Sequence, residues 1–385
     1  MQPPEASRTE AEPSPDPPRY RDVRYRYSEK MPEVLRHIGG TLAVTTYAAG
    51  KVALVSWVDD GHERGERDEP AEGDGGRMRL EFANFDRAMG LSAFASSKGR
   101  TLSIGTRDAV MTLQDVGPVA GGLPDDRDAD VVMKLRTTRH TGDIAVHDVG
   151  HDASGRLWLV ATTFSCLATL DDAHDFVPRW RPPFVTSLAA EDRCHLNGMA
   201  MGDDGPRFVT ALGRTDRPKG WRAGKADGGV LIDVASGEQV AGGFCMPHSP
   251  RIDPSDPDRL WVLDSGRGRL VVVDRRTGRR EDVEAYPGYG RGLAVVGRIG
   301  LVGISRGRQT SVFGGVPIAD EPAAMRCGVV AIDLVTGRSL AYLEFETGIE
   351  EIFEVVHLPF STRLSLVGPH AATDGWGPIW VVPPV

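Results

Sequence analysis

The stretch Arg259-Leu-Trp-Val-Leu263, followed after Asp264–Arg269 by Leu270-Val-Val-Val-Asp274 and Arg275-Arg-Thr-Gly278, decides the fold. Two short apolar runs flank a small polar turn, the pattern of paired strands. The second run ends in Asp-x-x-x-Gly. Asp there bonds the backbone two residues on and Gly supplies positive φ, so the chain turns back at once. The unit recurs as Arg156–Val160 (RLWLV) with Cys166–Asp171, and as Arg207–Leu212 with Gly229–Asp233. Gly300–Ile304 with Gly328–Asp333 and Thr101–Gly105 with Ala109–Leu113 are further copies. Its turn returns as Asp233-Val-Ala-Ser-Gly237 and Asp333-Leu-Val-Thr-Gly337.

The strand that opens each unit gives the register. We align Gly90-Leu91, Asp143-Ile144, Gly198-Met199, Ser249-Pro250, Gly292-Leu293 and Glu351-Ile352, with steps of 53, 55, 51, 43 and 59 residues. A period of about fifty residues is that of four-stranded blades set around a central channel. The last start has too little chain after it for a whole blade. Thr41–Thr46, Val52–Trp57 and Arg77–Phe85 supply the missing strands. The expected fold is all-β: a six-bladed β-propeller spanning 29–385 as one domain, its last blade closed by N-terminal strands. Closure removes the free sheet edge an open sheet must protect. Glu29–Ile38 is the best helical candidate. Residues 1–28 read as a Pro- and acid-rich disordered tail, and 59–76 and 121–130 as disordered loops.

Composition narrows the function. With 45 basic and 54 acidic side chains the net charge is −9, so nucleic acid and anionic membranes exert no general attraction. No apolar run approaches the roughly 18 residues of a membrane helix. Four cysteines without a close pair, and no apolar leader, predict free thiols in a cytoplasmic protein.

In a propeller the entries to the first strands converge on one mouth of the channel. The residues at or just before the aligned starts include Asp143, Asn197, His248, Arg291, Glu350 and Glu351, with His140 and His195 slightly earlier. Imidazole and carboxylate together are a ligand set for a divalent transition metal. His195 and His248 are the expected metal ligands, with Asp143 or Glu350 as further ligand or base. Arg291 suits an anionic group of the substrate through its fork of donors. Glu350 and Glu351 are alternative acid–base groups. The long loop 213–228 offers Trp221 and Arg222 as pocket walls, and His140 joins them as a substrate contact. His147 reads as a core histidine, and Asp148 as the partner of a backbone donor. Gly303–Gly307 (GISRG) has the letters of a nucleophile elbow, but no helix pattern follows, so Ser305 reads as a strand-end residue.

The phrases HTGDIAVHD (140–148), CLATLD (166–171), FVPRWRPPF (176–184), EDRCHLNGMA (191–200), MPHSPR (246–251), LDSGRG (263–268) and GIEEIF (348–353) resemble an uncharacterised bacterial propeller family, a domain of unknown function. That resemblance implies six blades and no particular activity. More distantly, the blade pattern is similar to the gluconolactonase and senescence-marker propellers. Those hold a divalent cation in the channel and hydrolyse lactones. Asn197-Gly198 resembles their Asn-Gly ligand loop, which implies a ligand role for Asn197. His248 stands where they have Asp, and Met89 where they have Glu, which turns the expectation from calcium toward a transition metal. The expected function is a metal-dependent enzyme acting on a small polar or anionic substrate, its reaction class open. A non-enzymatic propeller that binds a protein or glycan is the alternative.

Overall fold

The computed structural model describes residues 22–59, 76–97, 99–117, 128–307, 314–320 and 322–382. Six antiparallel sheets form the blades of a propeller. The first blade runs Leu91–Ser96, Gly99–Gly105, Ala109–Asp115 and Val131–His140. The second runs Val146–His151, Leu157–Ala161, Cys166–Thr169 and Val177–Trp180. The third is Leu196–Gly202, Gly205–Ala211, Gly229–Asp233 and Gln239–Phe244, and the fourth Pro247–Asp253, Asp256–Asp264, Arg269–Asp274 and Arg280–Ala285. The fifth is Tyr289–Val296, Ile299–Ser305, Gly328–Asp333 and Arg338–Phe345. The sixth joins Glu354–Leu358 to Thr41–Thr45, Lys51–Asp59 and Gly76–Asn84, with Thr41 paired to Leu358 and Thr45 to Glu354. Two blades carry a fifth strand. Leu364–Val367 lies parallel to the outer strand of the first blade, and Tyr25–Tyr27 antiparallel to that of the fifth. The disorder expected through residue 28 therefore does not hold for Tyr25–Tyr27. Tyr25 pairs with Phe345 because the outer edge of the fifth blade offers a free row of backbone groups. Residues 1–21, and most of the expected loops at 59–76 and 121–130, lie outside the described residues.

The strands read as unbroken apolar runs because a middle strand is covered on both faces. Successive side chains point to opposite faces. In Val52–Val55, Ala53 and Val55 pack toward the fifth blade while Val52 and Leu54 pack toward the first. In Leu260–Leu263, Leu260 and Val262 face the third blade, and Trp261 and Leu263 face the fifth. The core is thus a ring of interblade layers around the channel.

The helix Met31–Ile38 plugs the layer between fifth and sixth blades with Met31, Val34 and Leu35. Pro32 suits the first turn, where its missing N–H costs nothing, and Glu33 and Arg36/His37 complement the helix dipole at its two ends. Gly39, at φ 60°, ends it with its amide on the Leu35 carbonyl.

One hairpin device recurs. Asp253 Oδ1 accepts from Ser255 N (2.8 Å) and Ser255 Oγ (2.7 Å), and its Oδ2 accepts from Trp261 Nε1 (3.1 Å). Asp152 does the same for Ser154 and Trp158 in the second blade. Trp261 is almost fully buried, so Asp253→Ala strands its indole N–H without a partner. The expected cost is about 1–3 kcal/mol, read as a lower urea midpoint with unchanged slope.

Candidate functional site

Five of the six interblade seams are latched beside the pore. Thr45 Oγ1 donates to the Met89 carbonyl (2.6 Å), Thr162 Oγ1 to Leu196 (2.6 Å), Ser265 Oγ to Gly290 (2.6 Å) and Ser305 Oγ to Ile352 (3.1 Å). Between the third and fourth blades Asn197 Nδ2 donates to the Pro247 carbonyl (2.9 Å), while its Oδ1 accepts from Thr210 Oγ1 (2.6 Å). Its Nδ2 therefore closes the seam while Thr210, from the same blade, holds its oxygen. Ser305 is a latch at a strand end.

Four blades reach the pore by the same local device. Arg87, Ala145, His195 and Met246 are left-handed, with φ between 51° and 53°. Two residues on from each stand Met89, His147, Asn197 and His248. A left-handed L-residue costs roughly 1–3 kcal/mol, and such strain gathers where surrounding structure enforces it for function. In the fifth and sixth blades Arg291 and Phe353 take the corresponding places. Each of the six precedes the point where inner strands almost touch. A Cβ on Gly90 would sit 2.6 Å from Asp148 Cα, and one on Gly292 2.4 Å from Val355 N. Only glycine allows that approach.

These entries enclose a cavity of about 550 Å³ lined by Tyr47, Arg107, Asp143, His147, Asp192, His195, Trp221, His248, Tyr289, Arg291, Glu351 and Phe353, among others. His147 and His195 meet edge to face with ring centroids 5.0 Å apart, and His195 lies 4.6 Å from Trp221. The Arg291 guanidinium stands 4.0 Å over the Phe353 ring, and its Nη1 is 3.8 Å from Glu351 Oε1. That combination holds a cation in place with a ring face and a carboxylate. At the rim, Asp143 is clamped by Arg107 through three bonds of 2.7–2.9 Å.

The imidazoles are fixed in tautomer. His147 Nδ1 faces the Ala145 carbonyl (3.1 Å), and His248 Nδ1 the Met246 carbonyl (2.8 Å). A carbonyl only accepts, so each Nδ1 carries the proton and each Nε2 is bare. Burial, with His195 and Arg291 adding to it, holds the His147 pKa well below the ordinary value. Burial and then Arg291 do the same for His248. Both rings stay neutral through the physiological range. His195 Nδ1 faces Asp192 Oδ1 at 2.9 Å.

The structure gathers six of the expected residues, Asp143, His195, Trp221, His248, Arg291 and Glu351, and sends four elsewhere. His140 ends the exposed outer strand of the first blade, because the chain needs Thr141–Ala145 to cross to the pore. Glu350 is exposed, with its carbonyl bound to Arg306 N (2.9 Å); its neighbour Glu351 turns inward instead. Arg222 lies outside over the Trp221 ring, 5.5 Å from its centroid. Asn197 serves the seam. His147, expected in the core, is a pore residue. Tyr47, Asp192, Tyr289 and Phe353 join them in the cavity wall from positions the blade register does not mark. The four cysteines are buried and unpaired, and burial raises the thiols of Cys194 to about 12 and Cys245 to about 11. In the folded chain without a ligand they remain protonated. Among the described residues, no three His, Cys, Asp or Glu side chains form a group able to hold a metal ion. No described helix is long and apolar enough to cross a membrane.

The chain is, then, a six-bladed β-propeller with a polar, aromatic-walled cavity at one mouth of its channel. Residues 29–366 match the family described as Domain of unknown function (DUF4915), and the chain belongs to that family. No curated protein matches the sequence. Among solved structures it is similar to a chain of the nidogen/laminin complex, at 12% identity and TM-score 0.49, covering 83% of this chain and 99% of that one. A protein of unknown function from Bacteroides caccae aligns at 9% identity and TM-score 0.49, covering 83% and 98%. A gluconolactonase from Xanthomonas campestris aligns at 13% identity and TM-score 0.45, covering 82% and 87%.

Proposed function

We propose that the pore-mouth cavity is an enzyme active site for a small anionic molecule, with imidazole as its proton-moving group. One observation carries the reading: Arg291 shares a single cavity with three histidines, two of them held neutral by burial. A volume of about 550 Å³ suits a small molecule. Arg291 supplies the charge that draws an anion, and neutral imidazoles do not compete for it. Tyr47, Trp221, Tyr289 and Phe353 supply apolar walls. The four unpaired thiols suit a reducing compartment, in keeping with a cytoplasmic protein.

The test is a thermal-shift panel of small carboxylates and phosphates. An anion at a hundred times its Kd stabilises the fold by about 2.7 kcal/mol, a rise of a few degrees. Arg291→Gln is expected to lose that response while keeping its own melting transition. A panel with no responsive anion, or equal response in the variant, sinks the reading.

A divalent transition metal in the same cavity is the finer form of the proposal. In its favour, His147 and His248 each have Nδ1 tied to a backbone carbonyl, the arrangement that presents Nε2 to a metal. The donors as placed do not close around an ion, so binding requires the rings to draw together. Elemental analysis after incubation with Zn²⁺ decides it. One equivalent per chain, lost in His248→Ala, supports the metal, and none in either protein removes it.

A further inference from the structure

We infer that Asp192 is a positioning residue that fixes His195 as the proton acceptor of this cavity. The inference rests on the pore-mouth reading above and deepens it. The substrate class becomes an anion that carries an acidic O–H or C–H bond.

Asp192 uses both carboxylate oxygens. Oδ1 lies 2.9 Å from His195 Nδ1, and Oδ2 accepts from Trp221 Nε1 at 2.9 Å. Its backbone is pinned as well, its amide donating to the Thr163 carbonyl (2.8 Å). Asp192 and His195 are both left-handed, at φ 49° and 51°, so the chain bends twice within four residues to bring this pair together. Only a donating Nδ1 matches a carboxylate, which leaves Nε2 bare. His195 and Asp192 side chains are 17% and 19% exposed, so the pair is open to the cavity. His147 and His248 have carbonyls behind them, and burial keeps them neutral. His195 instead has a carboxylate behind it, the arrangement that holds a ring in one tautomer and orientation. In the step, Nε2 takes the proton and the electron pair of the broken bond stays on the substrate atom. The new negative charge faces Arg291, and the new positive charge faces Asp192. Returning the proton to another substrate atom restores the enzyme, and no other reactant is consumed.

The tautomer is the readout, since packing alone does not set it. The amide that Asp192→Asn introduces has one accepting oxygen and one donating NH2. Trp221 only donates, so it claims the oxygen and turns the NH2 toward His195 Nδ1. His195 must then carry its proton on Nε2. Long-range ¹H–¹⁵N spectra, with His195 assigned from His195→Gln, are expected to show Nδ1–H in the wild type and Nε2–H in Asp192→Asn. In Asp192→Asn/Trp221→Phe the amide is released and the fixed Nε2–H form is lost. Trp221→Phe alone keeps Nδ1–H. A wild-type Nε2–H tautomer, or an Asp192→Asn spectrum unchanged from wild type, overturns the inference. Should Asp192→Asn not fold, the wild-type and Trp221→Phe spectra decide by the same rule. If the tautomers follow this pattern while no anion shifts the melting temperature, the pore-mouth reading fails and the positioning role of Asp192 stands.

Discussion

Replacing Arg251 with Met is expected to destabilise the fold by about 3–5 kcal/mol at about pH 8. Arg251 spans the channel just beneath the pore-mouth cavity. Its Nη2 donates to Glu354 Oε1 (3.0 Å), Nε to the Leu293 carbonyl (2.9 Å) and Nη1 to the Pro250 carbonyl (2.9 Å). Asp148 sits in the same layer, with Oδ2 accepting from Met199 N (2.9 Å). Asp148 and Glu354 are 4% and 3% exposed. Glu354 of the sixth blade thus pairs directly with a guanidinium from the fourth, and Asp148 of the second lies within the field of that cation, deep in the protein. Removing the cation leaves the Glu354 carboxylate without compensation and drives a proton onto Asp148, and a single buried uncompensated charge already costs several kcal/mol. Urea unfolding followed by tryptophan fluorescence reads the loss. A cost below about 1 kcal/mol would mean that solvent, not Arg251, balances the pair. Pairing the change with Glu354→Leu is expected to recover part of it, since an apolar replacement of matched size removes one stranded charge.

That layer, and the cavity above it, differ in how far the chain alone reveals them. Blade number and strand positions are legible because hairpin chemistry is local: Asp274-Arg-Arg-Thr-Gly278 turns the chain with its own atoms. Pore register is not local. Evenly spaced starts favour Asp143 and Glu350–Glu351 at the pore. The equivalent entry positions are Met89, His147, Asn197, His248, Arg291 and Phe353, with steps of 58, 50, 51, 43 and 62. The second blade slips by five residues because Thr141–Ala145 is an extra crossing turn ending in left-handed Ala145. Gly142, at φ 67°, marks the turn's start, but alanine gives no sign of positive φ, so the sequence hides where the turn ends. His147 consequently reads as a core residue. Asp192 hides for a related reason: its partners His195 and Trp221 are three and twenty-nine residues away, on an entry turn and a separate loop. His248 and Arg291 are recovered because their entries follow short, regular hairpins. The pairing of Asp148 with a backbone donor is legible; its sharing of Arg251 with Glu354 depends on ring closure, which brings the second and sixth blades across the channel.

The same layer sets a pH dependence of unusual sign. Burial, followed by the nearby Glu354 charge, raises the Asp148 pKa to about 7, against the lowering by Arg251 and its backbone donors. An ordinary carboxylate of a folded protein is paired, has a depressed pKa, and stabilises as pH rises. Asp148 does the reverse. Between about pH 4 and 7 the folded chain holds a proton that the unfolded chain has released, so stability falls as pH rises. With 1.36 kcal/mol per pKa unit, the full loss is on the order of 4 kcal/mol once pH exceeds the folded value. Asp148→Asn removes the ionisation and keeps an oxygen for the Met199 amide. The variant is therefore expected to gain on the wild type steadily as pH is raised from about 4 to 8, with most of the gain complete just above pH ~7. Paired urea titrations at several pH values measure the difference directly, so groups common to both proteins cancel. A difference that is flat with pH would mean that Asp148 is ionised throughout, with Arg251 offsetting both carboxylates. A difference that climbs places a proton between the carboxylates at the bottom of the channel. In Arg251→Met that proton is held to higher pH still, so the cost of losing the cation is expected to shrink on acidification. The two variants then report one shared charge balance across the pore.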